Sequence, residues 1–513
     1  MTQQRPKFGF DEPLLPEMFA IHARVRAHRR AVVAHDGTHD WQGLIARTSR
    51  VANGLHGLGL RPGARVGMLM SNGIATVEVI VACLRAGYVV VPLNLSVTDA
   101  NVATMLEDSG ASAIVVTADQ LPRVASTPIP VRIVAAGPAP AGWIGFEDWA
   151  DAQSAEPPAV ALTPDALAVI LYSSGTTGLP KGITHSHGTR IAWARDLAAA
   201  FRYHSAANTA IATGLFSNIS WVGVLCTLLN GGTLFVMDHF DPRDFMDLCE
   251  RERMTHVSMV PLMFQRIIEH PQFAEFDLTS FQSMMCIGSK CPPALKAKLH
   301  ALFPGALFDS YGLTEGVTTV LDPEDTLAHL ESAGRPLIGT ECLVLRDDDS
   351  IAGPGEGGEI VGRSRFSMVG YWNRPDANRE ASWIGPDGRL WLRTGDIGSI
   401  DAQGFVTILD RKKDMILSGG QNIYPADIES VLLTHDDVSE CAVIGIPSDA
   451  WGETPLALVV PRNPDADAEA LRAWVNARIG KQQRVHAVTF RASLPRNPNG
   501  KLLKRELRAE FWT

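Results

Sequence analysis

The sequence predicts an α/β protein: a large N-terminal domain built on parallel-rich sheets, followed by a small α+β C-terminal domain. Three observations predict it. Ahead of the charged stretch "LDRKKDMI" (409–416), short apolar runs alternate with amphipathic helical stretches, the pattern of strands joined by crossover helices. After that stretch the pattern changes to short strands with few helices between them. And 513 residues, 46% hydrophobic and 20% charged, are enough for more than one core without disulfide or metal staples. The boundary is placed near Lys413, giving domains 1–411 and 412–513.

The elements follow in order. "ARVGMLM" (64–70) reads as a strand, "IATVEVIVACLRAG" (74–87) as a helix stopped by Gly87, and "YVVVPLN" (88–94) as the next strand. "GTLFVMD" (232–238) is a strand. Pro242 then opens a helix with Phe245, Leu248 and Cys249 on one face, and "THVSMV" (255–260) resumes a strand before Pro261. In the C-terminal part, "ECAVIGI" (440–446) and "PLALVV" (455–460) are strands. A helix from about Asp467 shows Leu471, Trp474, Val475 and Ile479 on one side; "RVHAVTF" (484–490) is a last strand before a basic helical end.

Charge and composition exclude several classes. A net charge of −10 argues against bulk attraction to nucleic acid or an anionic membrane. "MTQQRPKFGF" has no signal-peptide core, and the apolar stretch "VEVIVACLRAGYVVVPL" (77–93) contains Arg85 and Gly87, so it reads as a buried helix and strand, not a transmembrane segment. Seven scattered cysteines without a Cys-x-x-Cys fit a reducing, cytoplasmic location without structural zinc. "HSHG" (185–188) reads as a satisfied loop histidine pair, since no further ligand cluster is visible around it. There is no G-x-S-x-G, no H-E-x-x-H and no G-x-G-x-x-G after a strand.

The stretch that carries chemistry is "YSSGTTGLPKG" (172–182), directly after the apolar run "ALAVILY". Backbone amides with little side-chain bulk can wrap an anion, hydroxyls add donors and Lys181 adds a point charge. It is not a Walker loop: Pro180 stands where the second glycine belongs, and Gly182 where the magnesium-binding hydroxyl belongs. Taken alone, it fits a phosphate cradle and an ordinary surface loop equally well.

Four further stretches, in fixed order, decide between these. They are "DSYGLTEG" (309–316), "LRTGDIG" (392–398), "DRKKDMILSGGQNIYPADIE" (410–429) and "PRNPNGKLLKREL" (495–507). With the first stretch they span more than three hundred residues, and together they resemble the signature motifs of the adenylate-forming superfamily, which includes acyl-CoA synthetases. The resemblance implies that Ser173, Ser174, Gly175, Thr176, Thr177, Gly178 and Lys181 clasp the β- and γ-phosphates of ATP. Tyr311 would stack on adenine and Asp309 accept from its amino group; Thr314 would donate to the α-phosphate and Glu315 hold Mg2+. Asp396 would bind the ribose hydroxyls beside Arg411. Lys501 would be the catalytic cation between carboxylate and phosphate, Lys413 the hinge, and Gly419 and Gly420 the approach to the thiol arm of coenzyme A.

The acyl pocket is where this sequence departs from the pattern. Many members carry an aromatic-His pair where it has Phe216-Ser217-Asn218, so no gate role carries over. Trp221, Gly223, Val224, Gly288, Gly312, Gly316 and Val317 are expected to line the pocket or to belong to the core. With no cation set aside for a second carboxylate, an apolar acid is favoured, either aromatic/arylalkanoic or medium-to-long aliphatic. The expected function is an AMP-forming carboxylic acid–CoA ligase. The alternatives are an enzyme that passes acyl-AMP to an amine or a carrier-protein thiol, and a non-catalytic nucleotide sensor. The implied partners are the acid, ATP and coenzyme A, with no nucleic acid; a homodimer is left open.

Overall fold

The structure, a computed structural model, describes residues 12–125, 127–173, 180–418, 421–449, 451–481, 483–496 and 502–512. The chain divides into two compact units. The first comprises Met1–Ser258, Ile267–Met285 and Arg365–Pro375; the second comprises Met259–Arg266, Cys286–Ser364 and Asp376–Thr513.

The first unit holds an eight-stranded sheet in the order Gly370–Tyr371, Lys181–Ser186, Leu167–Ser173, Val89–Pro92, Arg65–Leu69, Ala113–Thr117, Val131–Ala135 and Ile144–Gly145. From Leu167–Ser173 onward every pairing in this order is parallel, as the alternation of strands and helices predicts. The central strands are buried on both faces, because helices cover them. The helix Ile74–Ala86 ends where expected: Gly87 takes φ 70° and its N–H donates to the Cys83 carbonyl. Arg85, inside this apolar stretch, is satisfied internally, with Nη1 donating to the Ile45 carbonyl (2.9 Å), Thr48 Oγ1 (2.7 Å) and Ser49 Oγ (3.0 Å). No described helix is long and apolar enough to cross a membrane.

A second sheet region of this unit pairs Arg30–Ala34, Thr233–Val236 and Asn208–Ile211 in parallel, with Gly37–Asp40 as an antiparallel hairpin partner of Arg30–Ala34. The helix Pro242–Glu252 starts on its proline, capped by Asp241, and buries Phe245, Met246 and Cys249. Leu248, expected on that face, is only partly buried.

In the second unit, Thr340–Leu345, Gly357–Ser364, Leu390–Ile400 and Ser382–Ile384 form an antiparallel sheet, with Val406–Arg411 also pairing to Leu390–Ile400. The hairpin Leu307–Gly312 and Thr318–Leu321 is antiparallel as well. Toward the C-terminus the strands read from sequence are longer than their apolar cores: Val438–Ser448 and Gly452–Pro461 form one antiparallel ribbon. Ala487–Phe490 joins Gly452–Pro461 in parallel. The helix Ala468–Asn476 is capped by Asp467 and packs Leu471 and Val475 into a core with Ile416, Ile428 and Val459. Trp474 and Ile479 pack at the edge of that core rather than within it. The fold is therefore the expected mixed α/β architecture with parallel-rich sheets in the N-terminal part and an α+β C-terminal part.

Candidate active site

The two strands that flank the glycine-rich stretch pair with each other. Leu167–Ser173 and Lys181–Ser186 run antiparallel, with Ser173 opposite Lys181. The helix comes only after the second strand, at His187. This differs from a Walker loop, where a strand leads directly into a helix whose N-terminus faces the phosphate. Lys181 lies with its ammonium 5.2 Å from the centroid of the Tyr371 ring. Ser174, Gly175, Thr176, Thr177 and Gly178 lie outside the described residues, as do Gly419, Gly420 and Lys501.

In the second unit, three of the expected nucleotide residues meet directly. Asp396 stands opposite Arg411 across the Leu390–Ile400 and Val406–Arg411 strand pair. Arg411 Nε lies 2.6 Å from Asp396 Oδ1, and the Tyr311 hydroxyl donates to Asp396 Oδ2 at 2.6 Å. Asp396 is buried, and Thr394 Oγ1 accepts from its backbone N–H at 3.1 Å. Burial first, and the Asp396 charge second, push the Tyr311 phenol well above its ordinary value. Tyr311 therefore stays a neutral donor at any physiological pH. Each carboxylate oxygen of Asp396 has a lone pair left after these bonds, so the group can still accept from two hydroxyls.

The tip of the hairpin between Leu307–Gly312 and Thr318–Leu321 carries Thr314 and Glu315. Leu313 N–H donates to the Val317 carbonyl (2.9 Å) and Gly316 N–H to the Leu313 carbonyl (3.0 Å), which closes the turn. Gly316 sits at φ 113°, a conformation open to glycine and costly for other residues. Thr314 and Glu315 are half-buried, and Val317 is fully buried under Gly362, where an added Cβ would lie 2.7 Å from Val317 Cγ2. A half-exposed carboxylate at a hairpin tip suits a magnesium ion that takes its other ligands from phosphate and water.

Asp309 is buried, and its main partner is a residue that sequence reasoning missed. Lys296 Nζ lies 2.7 Å from Asp309 Oδ2 and donates to the Ser332 carbonyl at 2.8 Å. Burial raises the Asp309 carboxyl above its ordinary range, and the Lys296 ammonium opposes that rise. Cys286 and Cys291 flank the pair, with ligand atoms within 4.8 Å of one another and of Asp309. Lys296 takes up Oδ2 of this carboxylate, so the cluster is an ion pair beside two thiols. Lys296→Met would strand Asp309 in the core, at a cost of about 3 kcal/mol. A urea titration should show that loss, and K296M/D309N should recover most of it. Equal midpoints for wild type and K296M would contradict the assignment.

The segment around Lys413, the expected hinge, is bonded on both sides. Asp410 accepts from the backbone N–H of Ala426 (3.0 Å) and of Arg411 (2.7 Å). Lys412 reaches Glu359 at 3.0 Å and donates its N–H to the Gly395 carbonyl at 2.9 Å. The carbonyl of Lys413 accepts from Arg508 Nη1 at 3.2 Å, while its own side chain is exposed.

The expected pocket residues are placed as follows. Trp221 is fully buried, with its indole N–H donating to the Leu215 carbonyl at 2.9 Å. Gly223 packs its helix onto a strand: an added Cβ would meet Ile211 Cδ1 at 2.6 Å. Val224 is buried. Gly312 faces Thr318, and Gly288 sits at φ 99°. "HSHG" is neither a loop nor a satisfied pair: His185 lies within the Lys181–Ser186 strand, His187 opens the next helix, both are buried, and neither ring nitrogen of His187 meets a partner among the described residues. The alternation of apolar and polar residues is too short there to show the junction from sequence.

Two family models cover most of the chain. Residues 19–372 match the AMP-binding enzyme model, and residues 427–501 match the AMP-binding enzyme C-terminal domain. The chain belongs to the AMP-binding enzyme family. Among the relatives of this AMP-binding enzyme is a feruloyl-CoA synthase from an Amycolatopsis species, 36% identical, matched over 95% of this chain and 97% of that one. Another is the long-chain-fatty-acid–CoA ligase FadD13 of Mycobacterium tuberculosis, 35% identical over 91% of this chain and 92% of that one. Among solved structures, the o-succinylbenzoate CoA synthetase of Bacillus subtilis with its acyl-adenylate intermediate superposes with a TM-score of 0.85 at 29% identity, covering 96% of this chain and 98% of that one. The membership expected from the five motifs is thus borne out, and these relatives are CoA ligases, the expected enzyme class.

Proposed function

We propose that this AMP-binding enzyme is an AMP-forming carboxylic acid–CoA ligase whose acid has an apolar body, aromatic/arylalkanoic or medium-to-long aliphatic. The observation that carries the reading is the buried Asp396 carboxylate, held between the Tyr311 hydroxyl and Arg411 with one lone pair on each oxygen turned to no partner in that trio. That is the donor–acceptor arrangement a ribose diol needs beside an aromatic ring. Relatives that act on feruloyl and long-chain fatty acyl groups support an apolar acid.

In the first half-reaction the acid's carboxylate attacks the α-phosphorus of ATP and pyrophosphate leaves. Ser173, Ser174, Gly175, Thr176, Thr177, Gly178 and Lys181 hold the β- and γ-phosphates, Thr314 donates to the α-phosphate, and Glu315 holds the Mg2+ that arrives with ATP. Tyr311 stacks on adenine, Asp309 accepts from its amino group, and Asp396 with Arg411 holds the ribose. Lys501 offsets the negative charge that gathers around phosphorus. In the second half-reaction the thiol of coenzyme A attacks the acyl carbon and AMP leaves. Rotation about Lys413 brings Gly419 and Gly420 to the thiol arm.

The test is pyrophosphate release across a panel of aliphatic and aromatic acids, each with and without coenzyme A. CoA-dependent release with AMP and an acyl-CoA as products is the expected result. Release without a thioester would replace coenzyme A with an amine or carrier-protein acceptor. No release with any acid would favour a nucleotide sensor.

A further inference from the structure

The helix His187–Ala200 buries a polar ridge at one-turn spacing: His187, Arg190, Trp193 and Asp196. Asp196 is matched, since Arg365 donates to its two oxygens from Nε (2.8 Å) and Nη2. Arg190 is matched only in part. Its Nη1 donates to Asn218 Oδ1 at 3.0 Å, and its guanidinium carbon lies 4.9 Å from the ring centroid of Trp193 and 5.5 Å from that of Trp221. Its Nε and Nη2 are buried and bond to nothing among the described residues, although the residue is only 1% exposed. Burial lowers its pKa to about 9, which still leaves a cation at neutral pH. The neighbouring His187 ring, one turn earlier, is also buried, with neither nitrogen bonded among the described residues.

Other buried arginines of this unit are better served. Arg47 meets Glu78, Glu147 and Asp151, and Arg85 donates to three oxygens. Cation–π packing cannot account for the open edge of Arg190, because an aromatic ring engages the face of a guanidinium and leaves its N–H groups unspent. Nε and Nη2 form the side-on fork of arginine, which fits the two oxygens of one carboxylate. In this same protein Arg365 uses that fork on Asp196.

The place also suits a ligand. Asn218, which fixes the guanidinium, is the first residue of the helix Asn218–Asn230. This helix follows the strand Asn208–Ile211, whose described pairings to Thr233–Val236 and His256–Met259 are parallel. Arg190 is therefore held near the carboxyl end of a parallel strand, where open α/β sheets take their ligands. The same helix carries Trp221, one of the expected pocket residues, whose ring lies against the Arg190 guanidinium.

We propose that Arg190 is a specificity-determining residue that receives a second carboxylate, at the far end of the acyl substrate, through Nε and Nη2. This rests on the ligase reading above and narrows it: the acid is dicarboxylic, with an apolar body between one carboxyl group that is activated and one that is anchored. Sequence reasoning had no sign of such a cation, because "HSHGTRIAWARD" holds two arginines and nothing local marks Arg190 as the buried one.

The test uses the full chain and matched acid pairs, such as octanoate with octanedioate and 3-phenylpropanoate with its para-carboxylate, in the CoA-dependent pyrophosphate assay. The expected wild-type result is a kcat/KM at least tenfold higher for the diacid of a pair. Arg190→Met should lower the diacid-to-monoacid ratio about a hundredfold, and Arg190→Lys should lower it less, since an ammonium keeps the charge but loses the fork. A wild-type preference for the monoacid in every pair, or an unchanged ratio in R190M, would overturn the proposal while leaving the ligase reading intact.

Thermal shift without ATP decides the matter even if no acid is turned over. Diacid should raise the melting temperature of wild type and not of R190M; no rise with wild type at millimolar diacid would overturn it. Without ligand, R190M should melt at or above wild type, because the substitution removes an unmatched buried charge. A purely structural arginine would give the opposite result.

Discussion

Lys501→Ala should abolish formation of the acyl adenylate, with a loss of about a thousandfold or more in pyrophosphate release, while thioester formation from supplied acyl-AMP stays within a few-fold of wild type. The reasoning is electrostatic. Two anions must meet in the first step, and negative charge gathers between the attacking carboxylate and the α-phosphate as the bond forms. A fixed ammonium at that point favours the transition state over the ground state, so its loss falls on kcat and not on KM. The second step starts from a neutral acyl carbon with AMP as its leaving group, and it requires no cation there. Equal loss of both half-reactions would contradict the role, and a loss confined to KM for ATP would make Lys501 a simple phosphate ligand.

Asp396→Ala should raise KM for ATP by about a hundredfold and lower stability by about 2 kcal/mol. Both effects have one source. The carboxylate is buried and bonded by the Tyr311 hydroxyl and by Arg411 Nε, each at 2.6 Å. Removing it leaves a phenol without its acceptor and a guanidinium without its counter-charge. Arg411 is partly exposed, so water recovers some of the loss, which is why the stability effect is set below that of a fully buried pair. Asp396→Asn keeps one acceptor oxygen and the side-chain shape. It should return most of the stability while keeping a raised KM, because it can no longer accept from two ribose hydroxyls and Arg411 together. Urea midpoints and ATP titrations of the two variants separate these effects. An unchanged KM in D396A would remove Asp396 from the nucleotide site.

The two predictions differ in what made them possible. Lys501 is legible only through the order of motifs: alone, it is one more basic residue in "GKLLKRELR". Asp396 was legible in the same way, but its bonds to Tyr311 and Arg411 were not, since the three residues stand on three different strands. Lys296 was not legible at all. It sits in "PALKAKLHAL", where Lys298 is the same residue type two positions later, and only Lys296 turns into the core to meet Asp309.

What the sequence by itself determined is local or cumulative. Gly87, Pro242 and Asp467 set helix ends through φ freedom, a missing N–H and a capping carboxylate, each acting within one turn. The run of strands and helices determined the parallel-rich sheets, because a strand returning through a helix pairs in parallel. Five motifs in order determined the family. The tertiary structure alone decided which charges are buried and what they meet. Arg85, Arg190 and Lys296 are all buried cations in helices, yet one is satisfied by neighbouring helix oxygens, one is left with an open fork, and one is paired with a carboxylate. That outcome depends on residues far along the chain that packing brings within about 3 Å, the distance at which a hydrogen bond forms, and no local pattern encodes it.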